Sequence, residues 1–202
     1  MGIEAIIFDI GGVLEYTPKL GLMAKWEQKL GLSADDINKR LGNVWRDGSY
    51  GTMSLEDVHT KIIETLAINE ATLKAFMDDI WTEYVGTPNS ELIDYFRALR
   101  PKYRTAILSN SFVGAREKEE SLYHFSEMCE LIIYSHEVGL MKPDPKIYAL
   151  SCERLNLPAE SIIFVDDVQE NIDAACDFGI YGILFQDNQQ VIADIEDCIL
   201  KC

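Results

Sequence analysis

The segment IEAIIFDIGG at residues 3–12 decides the fold, because a short apolar, β-prone run ends there in Asp9 and a pair of glycines. This order is typical of a buried strand that runs into a tight loop. From residue 18 to residue 85, the chain then shows only helical patterns, with apolar residues at three- and four-residue spacing. The sequence therefore predicts a group of helices inserted directly after the first strand.

Beyond Gly86-Thr87-Pro88 the pattern changes to apolar strands that alternate with amphipathic helices. Such alternation implies right-handed crossovers and a parallel sheet covered by helices on both faces. The predicted fold class is α/β, a doubly wound parallel sheet with an inserted helical bundle. Residues 1–14 and 88–202 are expected to form the α/β core, and residues 15–87 a helical cap domain.

Composition narrows the classes of function. The chain has 202 residues, 26% of them charged, and a formal net charge of −16, which disfavours binding to nucleic acid. No apolar run reaches the roughly 20 residues that a membrane span needs, so we expect a cytoplasmic protein without membrane contact. The five cysteines contain no C-x-x-C unit, which argues against zinc and against a disulfide framework. Because the net charge is strongly negative, an anionic substrate would need positively charged groups placed in its binding site.

Polar side chains interrupt the apolar runs where the predicted strands end. Each alone is ordinary loop or helix-cap chemistry. Together they predict a site, because ligands of parallel sheets bind beyond the carboxyl ends of the strands. Converging carboxylates need a cation among them, and their oxygens suit Mg²⁺, while hydroxyl, amide and ammonium groups can hold a phosphate. The candidate residues are Asp9, Ser109, Asn110, Lys142, Asp166 and Asp167.

Four segments resemble, in order, the motifs of the haloacid dehalogenase-like hydrolases, and the resemblance runs nearly end to end. They are IIFDIGGVL, ILSNS, GLMKPDPKIY and IIFVDDVQENIDAA. The resemblance implies that Asp9 is the nucleophile and that Lys142 orients the nucleophile and the phosphate. It implies that Ser109, followed by Asn110, binds phosphate.

The same resemblance implies that Mg²⁺ is held by Asp9, Asp166, Asp167 and the carbonyl of Gly11. It also implies that the helical insert closes over the site and selects the substrate. The expected activity is hydrolysis of a small phosphorylated metabolite, such as a sugar phosphate, through an aspartyl-phosphate.

One departure from the family pattern concerns Gly11, because phosphatases of this family usually carry a second Asp at this position. That Asp would act as general acid and base, and losing such a group typically costs roughly 10²–10⁴-fold in rate. We therefore expect a preference for substrates with good leaving groups, such as sugar 1-phosphates or aryl phosphates. Glu15 and Tyr16 could replace the proton donor, although their position favours a solvated hinge.

Two other functions stay open from the sequence. A 2-haloacid dehalogenase would share the fold and the Asp nucleophile, but it uses no metal and gains nothing from the pair Asp166-Asp167. A non-catalytic binding protein would explain Gly11 but not the other motif residues. Two interpretations also stay open for Asn171, a metal-shell contact or a surface position. The tryptophans could be core residues or substrate contacts; they are Trp26, Trp45 and Trp81.

Overall fold

The computed structural model describes residues 2–201, so the terminal residues Met1 and Cys202 of the predicted core lie outside the described residues. Within this range, no helix combines the length and the apolar character that crossing a bilayer requires. In the same range, Cys129, Cys152 and Cys176 are free thiols.

The elements follow the predicted order of one strand, four helices and then alternating strands and helices, but two short strands that the sequence did not predict flank the four helices. The strands are β1 (Ala5–Phe8), β2 (Glu15–Tyr16), β3 (Thr87–Pro88), β4 (Arg104–Ser109), β5 (Leu131–Tyr134), β6 (Ile162–Asp166) and β7 (Tyr181–Leu184). The helices are α1 (Leu22–Leu30), α2 (Ala34–Ser49), α3 (Leu55–Leu66), α4 (Glu70–Val85), α5 (Ser90–Leu99), α6 (Ala115–Tyr123), α7 (Ser135–Val138), α8 (Pro145–Leu155), α9 (Gln169–Phe178) and α10 (Asn188–Lys201).

Five strands form one parallel sheet in the order β5-β4-β1-β6-β7, which confirms the predicted doubly wound α/β core. β1 lies in the middle, with Phe8 level with Ile107 of β4 and with Val165 of β6. The carboxyl ends of these three strands therefore meet at one edge of the sheet. This register brings together the residues that follow them.

Alternate residues of β1 point into two separate hydrophobic layers, as a strand covered on both faces requires. Ile6 and Phe8 pack into the layer that includes α5 and α10. Ala5 and Ile7 pack into the opposite layer, which includes α8 and α9. All four side chains are at most 1% exposed, so the strand that leads to Asp9 is enclosed on both faces.

The helices α1–α4 bury a third apolar cluster of their own, centred on residues such as Trp26, Ile62 and Phe76. Two of these helices begin at serine caps, because the hydroxyls of Ser33 and Ser54 each accept a backbone N–H three residues later. In sequence, the four helices lie between β2 and β3, which pair antiparallel as a short ribbon. This ribbon joins the helical insert to the sheet.

Candidate active site

Asp9 is the first residue after β1, and its backbone N–H donates to the carbonyl of Val165 at 2.9 Å. This bond continues the pairing with β6 and fixes Asp9 at the carboxyl edge of the sheet. The side chain is 8% exposed, and its Oδ1 accepts the N–H of Ile10 at 2.8 Å. Burial raises the pKa of Asp9 above its ordinary value; Lys142 opposes the increase and Asp166 adds to it.

Lys142 is a buried cation at the centre of this edge. Its Nζ lies 2.9 Å from Asp9 Oδ1 and 2.6 Å from Asp166 Oδ2, and it donates to the carbonyl of Leu108 at 2.9 Å. Burial alone would lower the pKa of Lys142, but the two carboxylates reverse this effect and raise it. The lysine therefore stays charged and fixes the position of Asp9.

Asp166 is the last residue of β6 and is fully buried. Its Oδ1 accepts the backbone N–H of Val168 at 2.8 Å, and Asn171 donates to both of its oxygens at 3.1 Å. Of the two interpretations that the sequence left open for Asn171, the structure supports the contact with the acidic site rather than a surface position. Asn171 is 6% exposed and holds the Asp166 carboxylate in place.

Asp9, Asp166 and Asp167 each offer one carboxylate oxygen, and these oxygens lie within 4.8 Å of one another. Asp167 is the exposed member of the three. It approaches the loop after β1 so closely that a Cβ on Gly12 would lie 2.2 Å from its Oδ2, and Gly12 has a φ of +75°. A side chain at position 12 would push Asp167 away. The arrangement can hold a hard divalent cation, because its donors are carboxylate oxygens.

Ser109 and Asn110 lie at the end of β4, beside the loop that carries Lys142. Ser109 is 3% exposed. The side chain of Asn110 is bonded at both ends to the backbone of Lys142, with Oδ1 accepting its N–H at 2.8 Å and Nδ2 donating to its carbonyl at 2.9 Å. Asn110 therefore positions the lysine, and its backbone N–H and the second N–H of Nδ2 remain as groups that could donate to a phosphate.

Glu15 corrects one expectation from the sequence. Tyr16 is 46% exposed, as a hinge residue would be, but Glu15 is 1% exposed. Thr17 donates to Glu15 Oε1 at 2.6 Å, while a Cβ on Gly86 would lie 1.9 Å from Oε2. The carboxyl group is thus enclosed by the β2–β3 ribbon, and burial raises the pKa of Glu15 to about 7. A Cβ on Gly11 would lie 3.5 Å from Glu15 Oε1, so this carboxyl adjoins the space that the usual second Asp would occupy.

Glu119 on α6 is a buried acidic residue that sequence reasoning missed. It is 2% exposed, and its Oε2 accepts the hydroxyl of Tyr134 at 2.6 Å. Burial raises the pKa of Glu119 to about 8; the bond from Tyr134 lowers it, and the charges of Glu15 and Asp9 raise it further. The only sequence signal is that Glu119 follows the buried Ala115 by four residues, on the same helix face.

The raised pKa of Glu119 predicts a pH-dependent stability. Between its unfolded value of about 4.5 and its folded value of about 8, the folded state retains a proton that the unfolded chain releases, so stability decreases as pH rises. One such group contributes a slope of at most about 1.4 kcal/mol per pH unit. We expect Glu119→Gln to increase the free energy of unfolding by about 1–2 kcal/mol at pH 8 and to change it little at pH 5.

Urea unfolding of the wild type and the variant at both pH values checks this expectation. Glu117→Gln is the matched control, because Glu117 lies on the same helix but is exposed. A Glu119→Gln variant whose stability differs from the wild type by the same amount at pH 5 and pH 8 would contradict the assignment.

All three tryptophans belong to the apolar cluster of the insert, but they have different neighbours. Trp26 is 1% exposed and packs edge-on against Phe76 inside the helical cluster. Trp45 and Trp81 instead contact Phe112, a residue of the loop that follows Ser109 and Asn110. Their ring centroids lie 5.7 Å and 6.3 Å from the centroid of the Phe112 ring. Two tryptophans of the insert therefore contact the loop that follows β4.

Comparison with curated proteins identifies relatives of this chain. Bifunctional epoxide hydrolase 2 of Mus musculus is 30% identical over 219 residues, which covers 97% of this chain and 39% of the relative. The chain spans 39% or less of the length of the first curated relatives that it matches. The phosphorylated carbohydrates phosphatase of Thermotoga maritima is 26% identical over 190 residues, covering 90% of this chain and 85% of the relative.

Comparison with solved structures shows the same fold. A HAD family enzyme from Bacteroides thetaiotaomicron, crystallised as a magnesium complex, superposes with a TM-score of 0.82 at 20% identity, covering 95% of this chain and 99% of that structure. The family model of the haloacid dehalogenase-like hydrolases matches residues 3–179, which include all four motif segments. The chain is a hydrolase and belongs to the haloacid dehalogenase-like family.

Proposed function

We propose that this hydrolase is a magnesium-dependent phosphatase that hydrolyses a monoester of a small phosphorylated metabolite through an aspartyl-phosphate on Asp9. The observation that carries the proposal is the edge where Asp9, Asp166 and Asp167 converge around the buried Nζ of Lys142. The name of the Thermotoga maritima relative supports phosphatase chemistry and makes sugar phosphates the first substrates to test.

The donor set fits Mg²⁺. Three carboxylates lie within 4.8 Å, one of them exposed, and the only ammonium group bonded to this cluster in residues 2–201 is Lys142. A second cation would offset the remaining negative charge. Asp9, Asp166, Asp167 and the carbonyl of Gly11 would hold it. When bound, Mg²⁺ neutralises charge on the phosphate and binds one of its oxygens; the Bacteroides thetaiotaomicron enzyme holds the same ion.

The residues of the chain account for the group transfer. A carboxylate oxygen of Asp9 bonds to phosphorus while the bond from phosphorus to the ester oxygen breaks, and the departing alkoxide takes up a proton. Water then bonds to phosphorus, loses a proton and displaces the Asp9 carboxylate, which leaves inorganic phosphate. Lys142 holds Asp9 at 2.9 Å and contributes positive charge. Ser109 and Asn110 would donate hydrogen bonds to the phosphate.

Residues 15–87 are proposed to act as the cap that closes over this edge. The support is that α1–α4 form their own cluster, connect to the core through the β2–β3 ribbon, and place Trp45 and Trp81 against Phe112. With a net charge of −16, the protein is inferred to act on small molecules in the cytoplasm rather than on nucleic acid or membranes.

Release of inorganic phosphate from a panel of sugar phosphates and p-nitrophenyl phosphate tests the proposal. We expect turnover with Mg²⁺ and its loss in EDTA, with recovery when Mg²⁺ is added back. Turnover that persists in EDTA would contradict the metal dependence. Absence of turnover on every member, despite Mg²⁺ binding measured by calorimetry, would favour the non-catalytic alternative, which Gly11 supports.

A 2-haloacid dehalogenase is disfavoured by the acidic pair, because a metal-free reaction gains nothing from Asp167. The close approach that Gly12 permits places this second carboxylate beside Asp9. Chloride release from 2-chloropropionate provides the direct test. We expect none above background.

Gly11 predicts a dependence of kcat on the leaving group. Because position 11 supplies no proton, phenyl phosphate is expected to give a kcat at least about tenfold above that of benzyl phosphate, whose alkoxide needs protonation more. Gly11→Asp is the matched variant, since Gly11 lies outside the positive-φ region and a Cβ there makes only an ordinary contact. The variant should increase kcat mainly for benzyl phosphate. Equal kcat values in the wild type would contradict the prediction.

A further inference from the structure

A cavity of about 370 Å³ opens between the helical insert and the loop after β4. It begins at Asn110, the residue next to Ser109, and continues along Ser111 and Phe112. Because β4 neighbours β1, this cavity adjoins the edge where Asp9 lies. Its volume is at the lower end of the range for small-molecule sites, so it suits one ring or a short chain.

Aromatic rings dominate the wall of this cavity. They are contributed by Trp45, Phe76, Trp81, Tyr84 and Phe112. The rings contact one another, with Trp45 stacked at 6.5 Å from Phe76 and edge-on at 5.7 Å to Phe112. Such a wall stabilises a flat apolar group through burial and ring-to-ring contact.

No lysine, arginine, aspartate or glutamate lines the cavity among residues 2–201. A second phosphate or a carboxylate on the substrate would therefore lie there without a counter-charge. Burying an unpaired charge is strongly unfavourable. The cavity accordingly disfavours bisphosphates, nucleoside polyphosphates and phosphorylated acids.

The polar groups nearest the catalytic edge already have protein partners. The side chain of Asn110 is bonded to the backbone of Lys142, and Ser111 Oγ lies 2.7 Å from His136 Nδ1. The other polar side chains of the wall are Asn38, which is exposed, Ser49 and the hydroxyl of Tyr84.

A sugar needs several hydrogen-bond partners at once, and this wall supplies few. Each hydroxyl group that is buried without a partner lowers affinity by on the order of tenfold. A hydrocarbon ring loses no such bonds and gains from being removed from water. The physical balance therefore favours an apolar occupant over a carbohydrate.

We propose that the leaving group of the substrate is an uncharged aromatic alcohol, so that the enzyme selects phosphate monoesters carrying one aromatic ring. This inference rests on the proposed phosphatase function and specifies its substrate class. Trp45, Trp81 and Phe112 are the residues proposed to contact the ring. Asn38, an exposed polar residue of the wall, can meet a single polar substituent on the ring.

Four substrates separate recognition of the ring from the chemistry of the leaving group. Phenyl phosphate and glucose 1-phosphate have good leaving groups, whereas benzyl phosphate and glycerol 3-phosphate have poor ones. Within each pair, we expect the aromatic member to show a KM about 30-fold lower, from burial of the ring. Equal KM values within both pairs, or a lower KM for the polar members, would overturn the inference while leaving the phosphatase function intact.

A binding measurement decides the inference even if none of the four substrates is turned over. The affinities of the wild type for benzylphosphonate and for methylphosphonate are measured by titration calorimetry in the presence of Mg²⁺. Neither compound has an ester bond that the enzyme could hydrolyse. We expect benzylphosphonate to bind at least about tenfold more tightly. Equal affinities would overturn the inference. If benzylphosphonate binds more tightly but none of the four substrates is turned over, only the proposed catalysis would be overturned.

Ile80→Thr tests the wall itself, because Ile80 is a half-buried lining residue and threonine keeps its β-branched shape while adding a hydroxyl. We expect KM for benzyl phosphate to rise about tenfold with little change for glycerol 3-phosphate. Ile63→Thr is the matched control, since Ile63 is equally half-buried in the insert but outside this cavity. Parallel KM changes in the two variants would contradict the role of the wall; if Ile80→Thr fails to fold, the phosphonate comparison decides.

Discussion

Asp9→Asn is expected to lower kcat for phosphate release by at least about 10⁴-fold, because an amide cannot form the aspartyl-phosphate. The variant keeps the shape of the side chain and the strand-end bond to Val165, which uses the backbone. It also removes one of the carboxylates that compete around Lys142. The fold should therefore survive, and the defect should appear in kcat rather than in thermal stability.

Phosphate release by the wild type and the variant, measured at saturating Mg²⁺, checks this result. Asp173→Asn is the matched control, because it makes the same change of charge at an exposed position of α9. The control should retain wild-type kcat. If Asp9→Asn keeps more than about a hundredth of the wild-type kcat, another group must be the nucleophile.

Lys142→Met is expected to reduce the free energy of unfolding by about 3–5 kcal/mol in EDTA, because removing one partner of a buried ion pair leaves buried charge without compensation. Lys142 Nζ contacts Asp9, Asp166 and the carbonyl of Leu108, and its side chain has no exposed surface. Methionine fills similar space but replaces none of these contacts. The variant should also lose turnover, because Asp9 is no longer held.

Urea unfolding in EDTA measures the loss, with Lys146→Met as the control. Lys146 is exposed on the first turn of α8, so its substitution should change stability by less than about 0.5 kcal/mol. The destabilisation from Lys142→Met should shrink as pH falls, since protonation removes the uncompensated charge on Asp9. A loss below about 1 kcal/mol at pH 8 would show that Lys142 does not balance the two carboxylates.

The difference between residues predicted well and residues missed follows from their position in the chain. Asp9, Ser109 and Asp166 each end an apolar run, and parallel strands bring such ends to one edge whatever the connecting helices contain. Glu119 lies in the charged helix sequence AREKEESLY, where local pattern indicates a solvated surface. Its burial depends on Tyr134 and on neighbours from other elements, and periodicity carries no record of them.

Glu15 shows the same limit at the ribbon. The sequence places it just after the glycine loop and favours a solvated hinge, but pairing of β2 with β3 brings Gly86 over its carboxyl group. The tryptophans also required the structure. Their spacing is equally compatible with core and substrate contacts, and only the packing of α2 and α4 against Phe112 separates Trp45 and Trp81 from Trp26.

By itself, the sequence determined the doubly wound parallel core, the inserted helices and the set of strand-end residues that converge. Hydrophobic periodicity and strand order constrain these features because each element must bury its own apolar face. Only the tertiary structure decided which carboxylates are buried, how Lys142 joins Asp9 to Asp166, and which rings of the insert form a cavity beside them. Those properties depend on contacts between residues far apart in the chain, which exist only once the inserted helices and the sheet pack together.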